Sequence, residues 1–350
     1  MCTSDSVRST LAPLLAGMRR RADDLDQSGA WPEEDFRELA AAGVMGWAVP
    51  REFGGAGVSA LDQHLGYEII SAASLNVALI LSQRDSAVGL IEAGSSLLRS
   101  ELLAALARND VFTTVGIAQL TTSRQGGPPA LRASREPDGY RLDGLIPWCT
   151  GAAKARWIVA GAATEDRRQL LFLLPHDAVG VTIDPPMPLA ALRSSWTASL
   201  RCGGVEIDEP LLLRGPAEKV IVRSNDLPLR QAFQAIGLCR GALDLIAAHN
   251  SAAASKAHQR LESQLVALRD RVLALSQSGR EAEATAAAPE IRGQCNDLAL
   301  RITHAAVALY KGAALLAGHP AQRLAREALF LLVWSCPNPV IDCTIDLLSA

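Results

Sequence analysis

The chain has 350 residues, 49% of them apolar but only 4% aromatic, and a formal net charge of −3. That length accommodates two or three packed units, and an apolar mass dominated by Ala, Leu and Val favours helices over sandwiches. Acids and bases are interspersed, so no basic face is offered to nucleic acid, and no run of about 18 apolar residues predicts a membrane span.

The first hundred residues read as helix. Leu11, Leu14, Leu15, Met18 and Leu25 recur at helical intervals over Ser6 to Asp26. Pro32 opens a second helix, Glu33 to Ala42, which Gly43 terminates. A glycine- and proline-punctuated loop runs from Gly43 to Ser59. Ser59 then caps a helix over Ala60 to Ala73, followed by helices over Leu75 to Ala93 and Leu97 to Ala107.

The texture changes at Asp110. Val111 to Val115 is β-branched and leads into a polar loop, Gly116 to Pro129. Leu131 to Ser134 and Tyr140 to Leu142 flank the turn Pro137-Asp138-Gly139, a hairpin signature. With Trp157 to Ala162, Gln169 to Leu174, Val179 to Ile183 and Ala198 to Ile207, about six strands are predicted, at the spacing of a small antiparallel barrel or sandwich. From Pro216 the chain is helical again. Leu229 to Asn250 reads as buried, with Gly237 and Gly241 permitting close helix approach. Gln259 to Ser276, Glu281 to Ala317, Ala321 to Val333 and Val340 to Ser349 follow. The units expected are residues 1–109, 110–215 and 216–350.

The seven cysteines are scattered with no CxxC, and the six histidines show no metal spacing, so reduced buried thiols and no metal centre are expected. The basic run after Met18 follows the apolar stretch, the reverse of a signal peptide, and cytoplasm is expected. Pro50 to Gly57 lacks the Gly-Lys-Ser/Thr ending of a phosphate loop and reads as a tight turn. Asp342 and Asp346 read as a solvated helix face. More informative are Gln119 to Ser123 and Trp148 to Gly151, which supply hydroxyl, amide and aromatic surface suited to a planar heteroaromatic ring.

Four segments in order resemble the acyl-CoA dehydrogenase family. G-V-M-G-W-A-V-P-R-E-F-G-G-A-G-V-S (Gly43 to Ser59) is similar to the family's G-L-x-G-x-x-V-P-E-x-Y-G-G-x-G. D-G-Y-R-L-D-G-L-I-P-W-C-T-G-A-A-K-A-R-W (Asp138 to Trp157) is similar to D-G-Y-x-L-N-G-x-K-x-W-I-T-N-A-x-x-A-D. Ser194 to Pro210 resembles the segment ending the family's β domain, and P-A-Q-R-L-A-R-E-A (Pro320 to Ala328) resembles P-x-E-R-L-x-R-D-A. The resemblance implies an α+β fold: an N-terminal helical domain, a middle antiparallel β domain and a C-terminal four-helix bundle. It implies FAD, with Gln119, Thr121 and Ser123 beside the flavin ring and Trp148 and Thr150 against its dimethylbenzene and N5 side. It also implies an acyl-CoA or acyl-carrier thioester as substrate. The assembly implied is a homodimer or homotetramer, or a hetero-oligomer with a paralogue.

The departures are specific. Family members remove an α-proton with a glutamate, a group whose pKa burial can raise toward the working range. By position that residue is Ser335 here. The alternative placement falls near Leu227, where Asp226 is the adjacent carboxylate. Arg260 is the one remnant of the R-x-x-F-G element, Leu309 to Ala313 replaces Q-x-x-G-G-x-G, and Gln119 to Arg124 replaces the usual Thr-Glu-Pro run. Three readings stay open: a dehydrogenase with Asp226 as base, a flavin monooxygenase-like enzyme, and a non-catalytic subunit.

Overall fold

A computed structural model describes residues 4–121, 128–221 and 227–350. Five helices come first: α1 (Ser4–Ser28), α2 (Glu33–Ala41), α3 (Ala60–Ala73), α4 (Leu75–Glu92) and α5 (Arg99–Ala107). The helical spacing of Val7, Leu11, Met18 and Ala22 puts all four on the buried stripe of α1. Gly43 takes φ +76° and ends α2 in the left-handed region that its missing Cβ permits. Ser59 caps α3, its side chain accepting the Asp62 N–H at 3.1 Å. Between them the glycine loop folds on itself: Ala56 N–H donates to Gly46 and Gly57 N–H to Val49. A Cβ on Gly55 would lie 2.0 Å from the Val49 carbonyl oxygen, so this loop is the tight turn its composition indicated.

The middle of the chain forms one eight-stranded, mostly antiparallel sheet. Its members are β1 (Thr113–Gly116), β2 (Leu131–Glu136), β3 (Gly139–Cys149), β4 (Trp157–Ala163), β5 (Gln169–Pro175), β6 (Val181–Ile183), β7 (Ala198–Asp208) and β8 (Leu212–Ala217). A four-residue helical turn, α6 (Ala118–Thr121), stands where the sequence reads as loop. The order is β6-β7-β3-β2-β4-β5-β8, with β1 parallel to β4. The β2–β3 hairpin pairs Glu136 with Gly139 around the expected turn. Strand β8 is additional to the strands expected. The return to helix expected at Pro216 falls inside this strand: proline is tolerated at a sheet edge, and among the described strands β8 pairs with β5 alone.

Strands β4 and β5 are buried on both faces. Ile158, Ala160, Leu170, Phe172 and Leu174 face the interior of the sheet domain. The alternate residues Val159, Leu171 and Leu173 pack on Ala87, Val88 and Leu103 of α4 and α5. This apolar layer fixes α4 against the sheet, and α4 forms one wall of the site.

The last third comprises α7 (Leu227–Ala247), α8 (Ala252–Gln277), α9 (Glu281–Tyr310), α10 (Pro320–Leu331) and α11 (Asn338–Ser349). Helix α8 begins seven positions before the expected Gln259, because Ser251 caps it by accepting the Ala254 N–H. Helix α9 stops at Tyr310 rather than Ala317. Lys311 turns to φ +53°, a 3-10 turn covers Lys311–Leu315, and His319 Nδ1 then accepts the Ala321 N–H to start α10. The expected order of helices, sheet and helical bundle holds. No described helix is long and apolar enough to cross a membrane.

Candidate functional site

A cavity of about 1170 Å³ lies between α4, one rim of the sheet, the start of α7 and the α9–α11 end of the bundle. Its sheet wall carries Trp148 and Thr150, at the end of β3. Trp148 is 46% exposed, unusual for so large an apolar ring, and leaves aromatic surface available to a ligand. Thr150 belongs to a hydroxyl chain: its Oγ1 lies 3.2 Å from Thr197 Oγ1, which lies 2.8 Å from Ser195 Oγ. Backbone bonds hold this wall in place, with Thr114 Oγ1 donating to the Thr150 carbonyl and Gly151 N–H to that of Ser195. Ser195 and Thr197 were not singled out from sequence. Their signal was present in the Ser-Ser-Trp-Thr segment, but only the pairing of β3 with β7 brings it beside Trp148.

The other residues that the resemblance puts beside a flavin ring fare differently. Gln119 does not line the cavity: its Nε2 donates to the carbonyls of Gly116, at 2.9 Å, and Gly161, at 2.7 Å. The helical turn α6 accounts for this, presenting Ile117 and Ala118 to the cavity while tying Gln119 to strand backbone. Thr121 is described in its backbone alone. Ser123 and Asp226 lie outside the described residues.

On the α4 wall stands Asp85, the one carboxylate among the described lining residues. Both of its oxygens are engaged. Tyr67 OH donates to Oδ2 at 2.8 Å and Arg84 Nη1 to Oδ1 at 2.7 Å. Burial pushes the Asp85 carboxyl above the usual range, against the pull of Arg84 and Tyr67. Nearby, Arg230 Nη1 donates to Ser86 Oγ at 2.9 Å.

The bundle wall contains Ser335, held at φ +48°, and Arg292. Arg292 is 1% exposed and was not predicted, because an arginine in an Ala/Leu-rich helix reads as surface. Its Nη2 donates to the Leu331 carbonyl at 3.0 Å, and its guanidinium lies 5.7 Å from the Trp334 ring centre. Burial lowers its pKa from the ordinary arginine value. With Arg214, Arg230 and Arg326 also in the wall, the described lining residues include four arginines and one carboxylate. Such a chamber, apolar in the main and cationic in its polar points, suits a planar or anionic organic ligand. Among the described residues, no three His, Cys, Asp or Glu side chains come together to hold a metal.

Residues 4–110 match the model of the acyl-CoA dehydrogenase N-terminal domain. The "Probable acyl-CoA dehydrogenase fadE25" of Mycobacterium leprae is 25% identical, over 91% of this chain and 88% of that protein. In fold, the chain is similar to butyryl-CoA dehydrogenase from Megasphaera elsdenii. The TM-score is 0.85 at 20% identity, covering 99% of this chain and 98% of the other. It is similar also to dibenzothiophene monooxygenase from Paenibacillus sp. A11-2, with a TM-score of 0.83 at 16% identity over 97% and 95% of the two chains. The N-terminal part of this chain thus matches the acyl-CoA dehydrogenase N-terminal domain, and the chain as a whole is similar in sequence to acyl-CoA dehydrogenases and shares their architecture.

Proposed function

We propose that this protein is an FAD-dependent oxidoreductase of acyl-CoA dehydrogenase type, acting on an acyl thioester held in the cavity between α4, the sheet rim and the bundle. The observation that carries the reading is Trp148, 46% exposed at the cavity wall and adjacent to the Thr150–Thr197–Ser195 hydroxyls. That combination of stacking surface, hydroxyls and little local negative charge fits a flavin ring. FAD, when bound, supplies the two-electron acceptor. Trp148 contributes stacking surface, and Thr150 and Thr197 offer hydrogen bonds to polar ring atoms. Leu79 and Leu90 of α4 give the acyl group an apolar wall that excludes water.

For the α-proton, Ser335 stands where the family resemblance puts glutamate, and a serine cannot accept a proton without a base of its own. Asp85 has both oxygens engaged by Tyr67 and Arg84. We assign the role to Asp226, supported by its place in sequence directly before α7, whose Arg230 and Gln231 line the cavity.

The test is the visible spectrum of the purified protein before and after adding FAD, then after anaerobic addition of an acyl-CoA. Flavin bands that bleach with the thioester are expected, with bleaching slowed roughly 100-fold or more in Asp226→Asn. A colourless protein that ignores FAD would overturn the flavoenzyme reading in favour of a partner subunit completing an assembly with a paralogue. The exposed Ile341, Ile345 and Leu348 of α11 support assembly, either with such a paralogue or as a homodimer or homotetramer. Serine at position 335 also favours a second reading, a flavin monooxygenase-like reaction that needs no α-proton base. Bands that do not bleach with thioesters, together with oxygen uptake driven by reduced flavin, would select it.

A further inference from the structure

The cavity holds a buried cation, Arg292, with no counter-charge among the described residues. Of the three guanidinium nitrogens of Arg292, Nε and Nη1 have no hydrogen-bond partner among the described residues. Nη2 reaches only backbone carbonyls, those of Leu331 at 3.0 Å and Trp334 at 3.5 Å. The Cys336 thiol beside it brings no charge, since burial raises that thiol's pKa and keeps it protonated. The other arginines of the cavity are held differently. Arg326 is paired with Asp26, Arg214 donates to the carbonyls of Val220 and Ala93, and Arg230 donates to Ser86. An arginine stays protonated even when buried, and an uncompensated buried charge with unsatisfied donors is strongly unfavourable. The negative end of the α10 dipole, at Leu331, offsets part of that. The rest calls for an anion arriving from the cavity that Arg292 lines.

We infer that the α9–α11 end of the cavity is an oxyanion subsite in which Arg292 receives a small anionic group of the ligand. The chemistry is that of a carboxylate or phosphate oxygen accepting charge-assisted hydrogen bonds from Nε and Nη1. Two sources carry it: a free carboxylate on the acyl substrate, or the phosphate of a flavin nucleotide. The subsite stands apart from the redox reading, because it is defined by binding alone.

The test is calorimetric titration of the full chain with succinate, inorganic phosphate, FMN and riboflavin, with uncharged succinamide as control. Binding of at least one anion is expected, weakened about tenfold or more in Arg292→Gln and partly retained in Arg292→Lys. A preference for FMN over riboflavin that Arg292→Gln removes identifies a nucleotide phosphate as the source. A response to succinate without one to phosphate identifies a substrate carboxylate. No anion binding in the wild type, or binding unchanged in Arg292→Gln, overturns the inference. Should Arg292→Gln fail to fold, Ala288→Glu against Ala288→Gln replaces it. Ala288 lines the cavity one helical turn before Arg292, so the new glutamate supplies an internal carboxylate. The glutamate variant is expected to melt higher than the glutamine variant and to lose its anion response. Equal anion binding by the two overturns the inference.

Discussion

His64 is 8% exposed on α3, its ring 5.5 Å from that of Phe233, and burial with the nearby Arg230 charge lowers its pKa to about 3. In the unfolded chain the same imidazole titrates near 6.5. Below that pH the unfolded state therefore binds a proton that the folded state refuses. Stability falls as pH drops from 6.5 toward 3, and no penalty remains above 6.5. Between pH 6.5 and 5 the loss from this residue amounts to about 1.5–2 kcal/mol. Buried carboxyls such as Asp85, raised by burial, act in the opposite sense. They are common to both chains when wild type is compared with His64→Leu. Urea unfolding at both pH values should show a smaller loss in the variant, and equal losses would refute the assignment. At this scale sequence was most informative where a residue's role follows from its immediate neighbours. Trp148 and Thr150 end a strand and line the cavity, whereas Gln119 is diverted to backbone by one helical turn. Arg292 was invisible, because nothing local distinguishes a buried arginine from a surface one in an alanine-rich helix.

Helices α3 and α7 meet at Gly237 and Gly241. A Cβ on Gly237 would fall 2.2 Å from the Glu68 carbonyl oxygen, and one on Gly241 2.5 Å from that of Ala72. Both obstacles are helix backbone, which moves only if the two helices separate. Gly237→Ala should therefore cost about 1–3 kcal/mol, despite the better helix propensity of alanine. Gly89 of α4 is the control: it is exposed, and a Cβ there meets nothing within 4 Å. Gly89→Ala should gain about 0.5–1 kcal/mol. Opposite signs in chemical denaturation are expected, and matching signs would show that propensity rather than packing decides at the crossing. This glycine pair was legible because its spacing is local. So was the β2–β3 hairpin, set by its Pro-Asp-Gly turn. Strand β8 and the end of α9 were not. One depends on pairing with β5, some 40 residues earlier, and the other on how the chain turns to seat α10.

Across the whole molecule, the first and last thirds are tied by charge. Arg323 of α10 donates to Asp23 of α1 at 2.7 Å and to Glu327 at 2.9 Å, and the next turn pairs Arg326 with Asp26. Arg323 and Glu327 are 5% and 4% exposed at the side chain, and Asp23 is 25% exposed. Burial alone would lower the Arg323 pKa, but Glu327 and Asp23 outweigh it and hold the guanidinium above its ordinary value. Removing the cation strands a fully desolvated carboxylate beside a half-buried one, the costly way to break such a cluster. Arg323→Met should therefore destabilise by about 3–5 kcal/mol, and adding Glu327→Leu should recover a large part of that, since the stranded charge goes with it. The tie also borders the cavity: Arg326 donates to the Ala190 carbonyl, and both residues are part of the lining. Loosening α10 from α1 is accordingly expected to weaken ligand binding as well as stability. Thermal unfolding of the single and double variants separates the possibilities. Full additivity of the two substitutions would mean that Arg323 and Glu327 do not act as a unit, leaving Arg326–Asp26 as the ion pair that ties α1 to α10 at this point.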